Sequence, residues 1–199
     1  MPVQQRRADF LLGRWTAKVA VAAVLGTTPD GSIDIVAAPD GAPTLLVHGE
    51  PSGLTVSITH RAGVAAALVD RAGRPVGCDL ELVEPRTPAF VADYLTADEQ
   101  RSAAALGPVS DLGANLVWSA KESVLKLLRD GLRRPTHDVE ISLSALHPTV
   151  ATGGWARYDA RLVDGRTFPG WWHRLGRHVL TVAYDGERPP PVELSADDR

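Results

Sequence analysis

The segment V-G-C-D-L-E spans residues 76–81 and has the alternating pattern of a β-strand. Because side chains alternate across a strand, Asp79 and Glu81 project from one face, while the intervening apolar residues point roughly toward the core. Two carboxylates this close repel each other, and the pKa of one rises unless a cation neutralises them. Such oxygen pairs suit Mg²⁺, which also takes waters and phosphate oxygens. Taken alone, however, the pair more often marks an exposed strand face with solvated acids.

A second segment, W-S-A-K-E-S-V-L-K at residues 118–126, belongs to the best helix in the chain. One side carries an apolar stripe, and Glu122 and Lys126 are neighbours on the other side. By itself this pair predicts a surface ion pair worth roughly 0.3–0.5 kcal/mol and no function. Lysine is rare here, however: of 21 basic residues only Lys18, Lys121 and Lys126 are lysines, and two of these flank Glu122. This clustering is the first indication of where the chemistry lies.

Hydrophobic periodicity predicts a mixture of helices and hairpin-linked strands. Helices are expected at residues 8–25, 88–105 and 115–129. Thr96 and Glu99 should form a capping box, and Gly131 a left-handed cap after the last helix. Strands are expected at residues 33–36, 44–47, 54–59, 64–69, 76–82, 139–143, 155–163 and 178–184. This mixture indicates α+β architecture, followed by a Pro-rich, acidic tail at residues 186–199 that we expect to be disordered.

Composition excludes several classes of protein. A chain of 199 residues with 44% hydrophobic and 23% charged residues is typical of a soluble globular protein with one domain or two small ones. A net charge of -3 supplies no basic field for DNA or RNA, so no nucleic-acid partner is expected. A single cysteine, Cys78, cannot form an internal disulfide, which favours a reducing compartment. The apolar residues 19–25 are far fewer than the ~20 that span a bilayer, so we expect a cytoplasmic protein without a membrane partner.

The two segments together are more specific than either alone. A D-x-E strand followed about 40 residues later by W-S-x-K-E-S-x-x-K resembles the surfactin-synthetase-activating type of 4′-phosphopantetheinyl transferase. That family has a V/I-G-V/I-D-x-E strand and an F/W-x-x-K-E-A/S-x-x-K helix at this separation. Further resemblance is carried by R-R-A-D-F-L-L-G-R at 6–14, G-A-P at 41–43, S-I-T-H at 57–60 and G-L at 131–132.

The resemblance implies both a fold and an activity. The fold would be two similar α/β halves in one chain, residues 1–74 and 75–185, with coenzyme A in the cleft between them. The activity would be that of a holo-acyl-carrier-protein synthase. It would transfer the 4′-phosphopantetheine arm of coenzyme A to a serine of an apo acyl or peptidyl carrier protein, giving holo carrier and adenosine 3′,5′-bisphosphate. The resemblance leaves the pathway open between fatty acid, polyketide and nonribosomal peptide biosynthesis, and we expect a monomer.

The resemblance also implies roles for the acidic residues and lysines of the two motifs. Asp79, Glu81 and Glu122 would hold Mg²⁺, with Mn²⁺ as the alternative. Glu122 would also be the general base for the carrier serine, and the sequence alone does not separate ligand from base. Lys121 and Lys126 would contact the pyrophosphate, and Lys126 would stabilise the leaving group.

Coenzyme A would be held by residues of the N-terminal motifs. Arg6 and Arg14 are candidates for its phosphates because guanidinium groups match phosphate geometry, with a solvated helix face as the alternative. Thr59 and His60 of the S-I-T-H segment would also bind the coenzyme. A lone histidine at a strand end is by itself more often a structural hydrogen-bonding residue.

The carrier should meet a local basic surface, because carrier domains tend to be acidic around the modified serine. Four arginines near the motifs are available, although all could be ordinary surface charge: Arg86, Arg129, Arg133 and Arg134. The sequence also departs from the family pattern. Ala42 stands where relatives often have a basic residue, and Cys78 where they have Val or Ile.

Three other functions compete with this interpretation. A catalytically silent coenzyme A-binding homologue is the main alternative, and a metal-dependent phosphohydrolase or nuclease would also use carboxylates and a lysine. S-V-L-K at residues 123–126 matches the S-x-x-K of serine β-lactamases, which also need K-T-G. No lysine in this chain is followed by Thr-Gly, so that class is excluded.

Overall fold

The structure is a computed structural model that describes residues 3–104, 110–143 and 154–194. Its N-terminal half contains α1 (Val3–Leu25), β1 (Ile33–Ala37), β2 (Pro43–Val47), β3 (Glu50–Pro51), β4 (Thr55–Arg61) and β5 (Val64–Asp70). Its C-terminal half contains β6 (Val76–Leu82), α2 (Pro88–Tyr94), α3 (Ala97–Ala104), α4 (Ser110–Leu127), β7 (Val139–Leu143), β8 (Ala156–Leu162), β9 (Thr167–Leu175) and β10 (His178–Tyr184). Two short 3₁₀ helices, Gly131–Arg133 and Thr136–Asp138, precede β7.

The N-terminal half folds around the buried side of α1. Strands β1, β2 and β3 form an antiparallel sheet, and β4 and β5 form a separate antiparallel hairpin. The helix ends as predicted, because Gly26 adopts the left-handed conformation (φ 69°) that glycine tolerates. The core of the N-terminal half consists of Ala17, Val21, Ala22, Ile33, Leu45 and Val56. Within the described ranges, no helix is long and apolar enough to cross a membrane.

The C-terminal half is built on a five-stranded antiparallel sheet in the order β6-β10-β9-β8-β7. Helix α4 lies against this sheet, and its apolar stripe is buried with strand residues in one core. Leu116, Val117, Ala120 and Val124 of α4 are fully buried there, together with Tyr158 of β8. The predicted α+β architecture, with two sheet-containing halves, is confirmed.

Strand β9 is the largest element that the sequence analysis missed. It lies between β10 and β8, and its Pro169-Gly170 dipeptide is typical of a turn. A Cβ at Gly170 would lie only 2.1 Å from the ring of Tyr158, so glycine is required for the ring to lie over the sheet. The Tyr158 hydroxyl donates to the Val182 carbonyl at 3.0 Å. Gly170 therefore marks close packing within a strand and not a turn.

The helix predicted at residues 88–105 is two helices, α2 and α3. The chain is extended at Leu95, and Thr96 then begins a new helix. The predicted capping box is confirmed: Thr96 N donates to Glu99 Oε2 at 2.7 Å, and Glu99 N donates to Thr96 Oγ1 at 3.3 Å. At the end of α4 the left-handed cap falls first on Arg129 (φ 61°) and only then on Gly131.

Residues 186–194 differ from the expected disordered tail because side chains of the folded domain bind them. The Trp171 indole donates to the Arg188 carbonyl at 2.9 Å, and the Trp155 indole donates to Glu193 at 3.1 Å. The Arg188 guanidinium lies over the Tyr184 ring at 5.0 Å and pairs with Asp70 of β5. This segment therefore contacts both the N-terminal and the C-terminal half. Residues 195–199 lie outside the described residues.

Close contact between α4 and β6 brings the two sequence motifs together. Gly77 of β6 faces the helix, and a Cβ at this position would lie 1.8 Å from the Ser123 carbonyl oxygen. Only glycine permits this approach. Because Gly77 and Asp79 lie on the same face of β6, the contact places Asp79 beside the Glu122 and Lys126 positions of α4.

Candidate active site

The edge of β6 forms the junction between the two halves. Strand β4 runs beside it and supplies side-chain oxygens to backbone N–H groups on the side of β6 where the described residues form no further strand pairing. Cys78 N donates to Ser57 Oγ and Leu80 N donates to Thr59 Oγ1, each at 3.0 Å. The Cys78 thiol donates to the Ser57 carbonyl at 3.3 Å. Ser57 and Thr59 are two apart on a strand, so both hydroxyls reach the same edge.

Asp79 is the buried centre of the site. Its Oδ1 accepts hydrogen bonds from Lys126 Nζ at 2.7 Å and from Thr59 Oγ1 at 3.2 Å. Lys126 also donates to the Cys78 carbonyl at 3.0 Å. Its burial disfavours the ammonium, but the neighbouring carboxylates outweigh this and raise the pKa of Lys126. The other oxygen, Asp79 Oδ2, is buried with no hydrogen-bond partner among the described residues.

Glu122 extends this buried acidic centre from α4. Its Oε1 is also buried without a hydrogen-bond partner in the described part of the chain. Burial, followed by repulsion from Asp79, raises the pKa of Glu122 to about 7, while Lys126 opposes the shift. A carboxyl with this pKa titrates near neutral pH and is suited to accept a proton.

Glu81 is held by two hydrogen-bond donors and one further guanidinium that the sequence does not predict. The Trp118 indole donates to Glu81 Oε1 at 3.0 Å, and Arg86 donates to Oε2 at 2.8 Å. Arg61 Nε lies 3.4 Å from the same Oε2. Burial and the Asp79 charge nonetheless raise the pKa of Glu81. For Trp118 the only signal in the sequence is its position on the Glu122 side of α4.

Arg86 fixes the position of the Glu81 carboxylate. Its Nε donates to Asn115 Oδ1 at 2.6 Å, and its guanidinium lies 4.6 Å from the centre of the Phe90 ring. The predicted role of Arg86 was carrier binding, but the described side chain is mostly buried and directed at Glu81.

The acidic residues fit a divalent cation in part. Among the described residues, no three His, Cys, Asp or Glu side chains already converge as a metal cluster. Asp79 Oδ2 and Glu122 Oε1 are nevertheless buried, unpartnered and close enough to repel each other electrostatically, which a cation between them would relieve. Glu81 could join through its remaining lone pairs, because each carboxylate oxygen accepts more than one partner. The chemistry of the donor set therefore fits a hard cation such as Mg²⁺.

Lys121 lies away from this cluster. Its side chain has no exposed surface, donates to the Thr136 carbonyl at 3.0 Å and pairs with buried Glu99 at 2.8 Å. Glu99 also accepts from Ile141 N at 2.7 Å. The predicted contact between Lys121 and a pyrophosphate therefore disagrees with the structure. The reason is that Lys121 lies on the side of α4 that packs on α3 and β7.

A cavity of about 460 Å³ opens beside Lys126 and is lined by both halves. The N-terminal half contributes the turn at Gly41 and Ala42, and the C-terminal half contributes Lys126, Arg129 and Arg133. A single acidic residue, Asp40, appears among the described lining residues, and it is paired with Arg129. Arg129 Nε lies 2.8 Å from Asp40 Oδ2, and Nη2 donates to Oδ1 at 3.0 Å. The cavity therefore has a cationic wall suited to an anionic ligand.

Three of the other predicted coenzyme residues, Thr59, Arg14 and His60, are not among the described residues that line this cavity. Thr59 is buried against β6, as described above, and this differs from its predicted contact with the coenzyme. Arg14 is half-buried, donates to the Ile35 carbonyl and lies 4.8 Å from the centre of the Phe10 ring. His60 is exposed beside α1, where its ring would lie 3.5 Å from a Cβ at Gly13. The side chain of Arg6 lies outside the described part of the structure.

Comparison with known proteins agrees with this arrangement. Residues 2–70 match the 4′-phosphopantetheinyl transferase N-terminal domain, and residues 75–183 match the 4′-phosphopantetheinyl transferase superfamily. Enterobactin synthase component D of Salmonella typhi is 29% identical over 134 residues, which are 66% of this chain and 56% of that protein. The same protein of Salmonella austin is 30% identical over 135 residues, with the same coverage. The chain thus matches little more than half the length of these curated relatives. It belongs to the 4′-phosphopantetheinyl transferase superfamily.

Proposed function

We propose that this chain transfers the 4′-phosphopantetheine arm of coenzyme A to a serine of an apo acyl or peptidyl carrier protein. The products would be holo carrier and adenosine 3′,5′-bisphosphate, and the enzyme would be of the surfactin-synthetase-activating type. One observation carries the proposal: Asp79, Glu122 and Lys126 form one acid–lysine cluster around the buried Asp79, and Lys126 of this cluster also lines the cavity. Two relatives are named as components of enterobactin synthase, and this supports a role for this chain in a biosynthetic synthase.

The reaction would proceed through the side chains of this cluster. The carrier serine Oγ attacks the phosphorus that bears the pantetheine arm, and the bond from that phosphorus to the bridging oxygen breaks. Glu122 would take the serine proton as an ionised carboxylate, and in the protein without metal burial and the Asp79 charge raise its pKa to about 7. The bridging oxygen leaves with adenosine 3′,5′-bisphosphate, and its negative charge is stabilised by Lys126. Mg²⁺, or Mn²⁺, held by Asp79, Glu122 and Glu81 would withdraw charge from the pyrophosphate oxygens.

Coenzyme A would occupy the cavity between the halves, which we assign to residues 1–74 and 75–185. Arg129 lines the same cavity as Ala42, pairs with Asp40, and is a candidate for the cation missing from the turn at residues 41–43. Arg6, Arg14 and His60 remain proposed contacts for phosphates that extend beyond the cavity. We further propose a cytoplasmic monomer that requires no nucleic acid or membrane.

The test is the intact mass of a purified carrier domain after incubation with the protein, coenzyme A and Mg²⁺. An apo acyl carrier and an apo peptidyl carrier are tested in parallel, because the pathway is open. The expected result is a gain of one phosphopantetheine by at least one carrier, and none by a carrier with its serine changed to alanine. Coenzyme A binding without a gain in mass would indicate a silent homologue, and cleavage of DNA in Mg²⁺ would indicate a nuclease.

A further inference from the structure

We propose that Thr59 is a positioning residue that orients the Asp79 carboxylate so that Oδ2 remains open to the active-site cation. The inference rests on the proposed function only in taking Asp79 as a ligand of that cation. It gives Thr59 a role different from contact with the coenzyme.

The hydrogen-bond pattern sets the direction of the Thr59 hydroxyl. Oγ1 lies 3.0 Å from Leu80 N, which can only donate, so the hydroxyl accepts there. A hydroxyl has one hydrogen, and the other hydrogen bond of Thr59 Oγ1 among the described residues is with Asp79 Oδ1 at 3.2 Å. Thr59 therefore donates to Asp79. With 4% of its surface exposed, the side chain has little room to adopt another arrangement.

This hydrogen bond distinguishes the two oxygens of Asp79. Oδ1 accepts from both Thr59 and Lys126, whereas Oδ2 has no partner among the described residues. A half-turn of the carboxylate would exchange Oδ1 and Oδ2. Because the two oxygens are chemically equivalent, this exchange would leave the arrangement unchanged. What the donors fix is the plane of the carboxylate, and with it the direction of the open oxygen. Without Thr59, Lys126 alone would leave this plane free to turn.

Ser57 provides an internal comparison. Its hydroxyl accepts from Cys78 N at 3.0 Å, just as Thr59 accepts from Leu80 N at the same distance. Both residues are buried on the same strand and both cap the edge of β6. The described contacts of Ser57 include no carboxylate. Removing either hydroxyl should therefore weaken the junction similarly, but only Thr59 should affect Asp79.

The test compares Thr59→Val with Ser57→Ala, and uses Thr59→Ser as the conservative variant. Mn²⁺ affinity is measured directly by electron paramagnetic resonance in protein without coenzyme A or carrier, together with the melting temperature. We expect Thr59→Val to weaken Mn²⁺ binding by roughly 10–100-fold, as loss of a partner of a metal ligand does. Ser57→Ala should lower the melting temperature without this loss, and Thr59→Ser should restore most of the affinity. If Thr59→Val does not fold, Thr59→Ala takes its place.

Kinetics with coenzyme A separate this role from coenzyme binding. A positioning role predicts a lower kcat for Thr59→Val, partly restored by more Mg²⁺, with the KM for coenzyme A nearly unchanged. Wild-type Mn²⁺ affinity in Thr59→Val, an equal loss in Ser57→Ala, or a raised KM with unchanged kcat would overturn the inference. Failure of the proposed function has a different signature, since a wild-type protein that binds Mn²⁺ but modifies no carrier would still show the Thr59 effect on metal.

Discussion

The ammonium of Lys126 donates to Asp79 Oδ1 at 2.7 Å, so a lysine of α4 that lines the cavity forms an ion pair with a buried aspartate of β6. The pair leaves the second Asp79 oxygen without a partner among the described residues. The lysine therefore neutralises part of the acidic cluster, while the open oxygen and Glu122 leave a place for a cation.

Asp79→Asn should abolish most of the transfer and leave the protein folded. The amide keeps the shape of the side chain but removes the charge that raises the pKa of Lys126 and repels Glu122. Initial rates over a range of Mg²⁺ concentrations and a thermal melt check this. Full activity in the presence of excess chelator, in this variant or in the wild type, would contradict the metal assignment.

Glu122→Gln should stabilise the protein without metal above pH about 7, where the wild-type carboxyl is ionised. The folded pKa of about 7 exceeds the ordinary value of 4.5, so between these pH values the unfolded chain loses a proton that the folded chain keeps. Ionisation of Glu122 thus favours the unfolded state increasingly as pH rises through this window, and glutamine avoids the penalty.

The measurement is the difference in melting temperature between Glu122→Gln and the wild type in chelator, as a function of pH. We expect the difference to grow from pH 4.5 to about 7 and then level off. A difference that does not change with pH would mean that the pKa of Glu122 is ordinary in the folded protein.

Asp40→Asn should lower the KM for coenzyme A, and Arg129→Ala should raise it. Asp40 competes with any phosphate for the Arg129 guanidinium, because it holds both Nε and Nη2. Removing the competing charge frees the cation for the ligand. Steady-state kinetics of both variants, with Arg133→Ala as a control at the same cavity wall, give the answer. Equal KM values for coenzyme A in the wild type and the three variants would mean that its phosphates bind elsewhere.

Lys121→Met should lower stability sharply without a selective effect on coenzyme A. Lys121 and Glu99 are both fully buried, and removing one partner of a buried pair costs about 3–5 kcal/mol of the free energy of unfolding. Denaturant unfolding measures this, and Glu99→Gln combined with Lys121→Met should recover part of the loss because no unpaired charge remains. A raised KM with unchanged stability would instead support the phosphate contact predicted from sequence.

Gly77→Ala should separate α4 from β6, since the added Cβ would meet the Ser123 carbonyl. We expect a lower melting temperature and a large loss of transfer, because Glu122 and Lys126 move with the helix. Gly31→Ala is a matched control, as a Cβ there meets no described atom within 4 Å. Normal activity in Gly77→Ala would show that the close approach is unnecessary.

Local patterns predicted much of the fold, because strands and helices follow from alternation and periodicity. Strands at 76–82, 139–143 and 178–184 have the predicted bounds. The errors arose where tertiary packing determines the outcome. Pro169-Gly170 lies within β9 because the Tyr158 ring covers the glycine, and the sequence around it does not reveal that contact.

Only the part of the candidate site that lies within the two sequence motifs could be predicted. Spacing predicted the face of its element on which each of Asp79, Glu122 and Lys126 lies, and the family resemblance predicted that the three residues come together. The environment of Lys121 depends on Glu99 of α3, and the hydroxyl of Thr59 depends on β4 lying beside β6. These are contacts between elements distant in sequence, and residue spacing does not determine them.

The most direct test of the central claim is the intact mass of an apo carrier treated with coenzyme A, Mg²⁺ and either wild-type protein or Glu122→Gln. The wild type should add one phosphopantetheine, and Glu122→Gln, still folded and still binding coenzyme A, should add it at least ~10²-fold more slowly. Equal rates for the two proteins would contradict the assignment of Asp79, Glu122 and Lys126 as the active site.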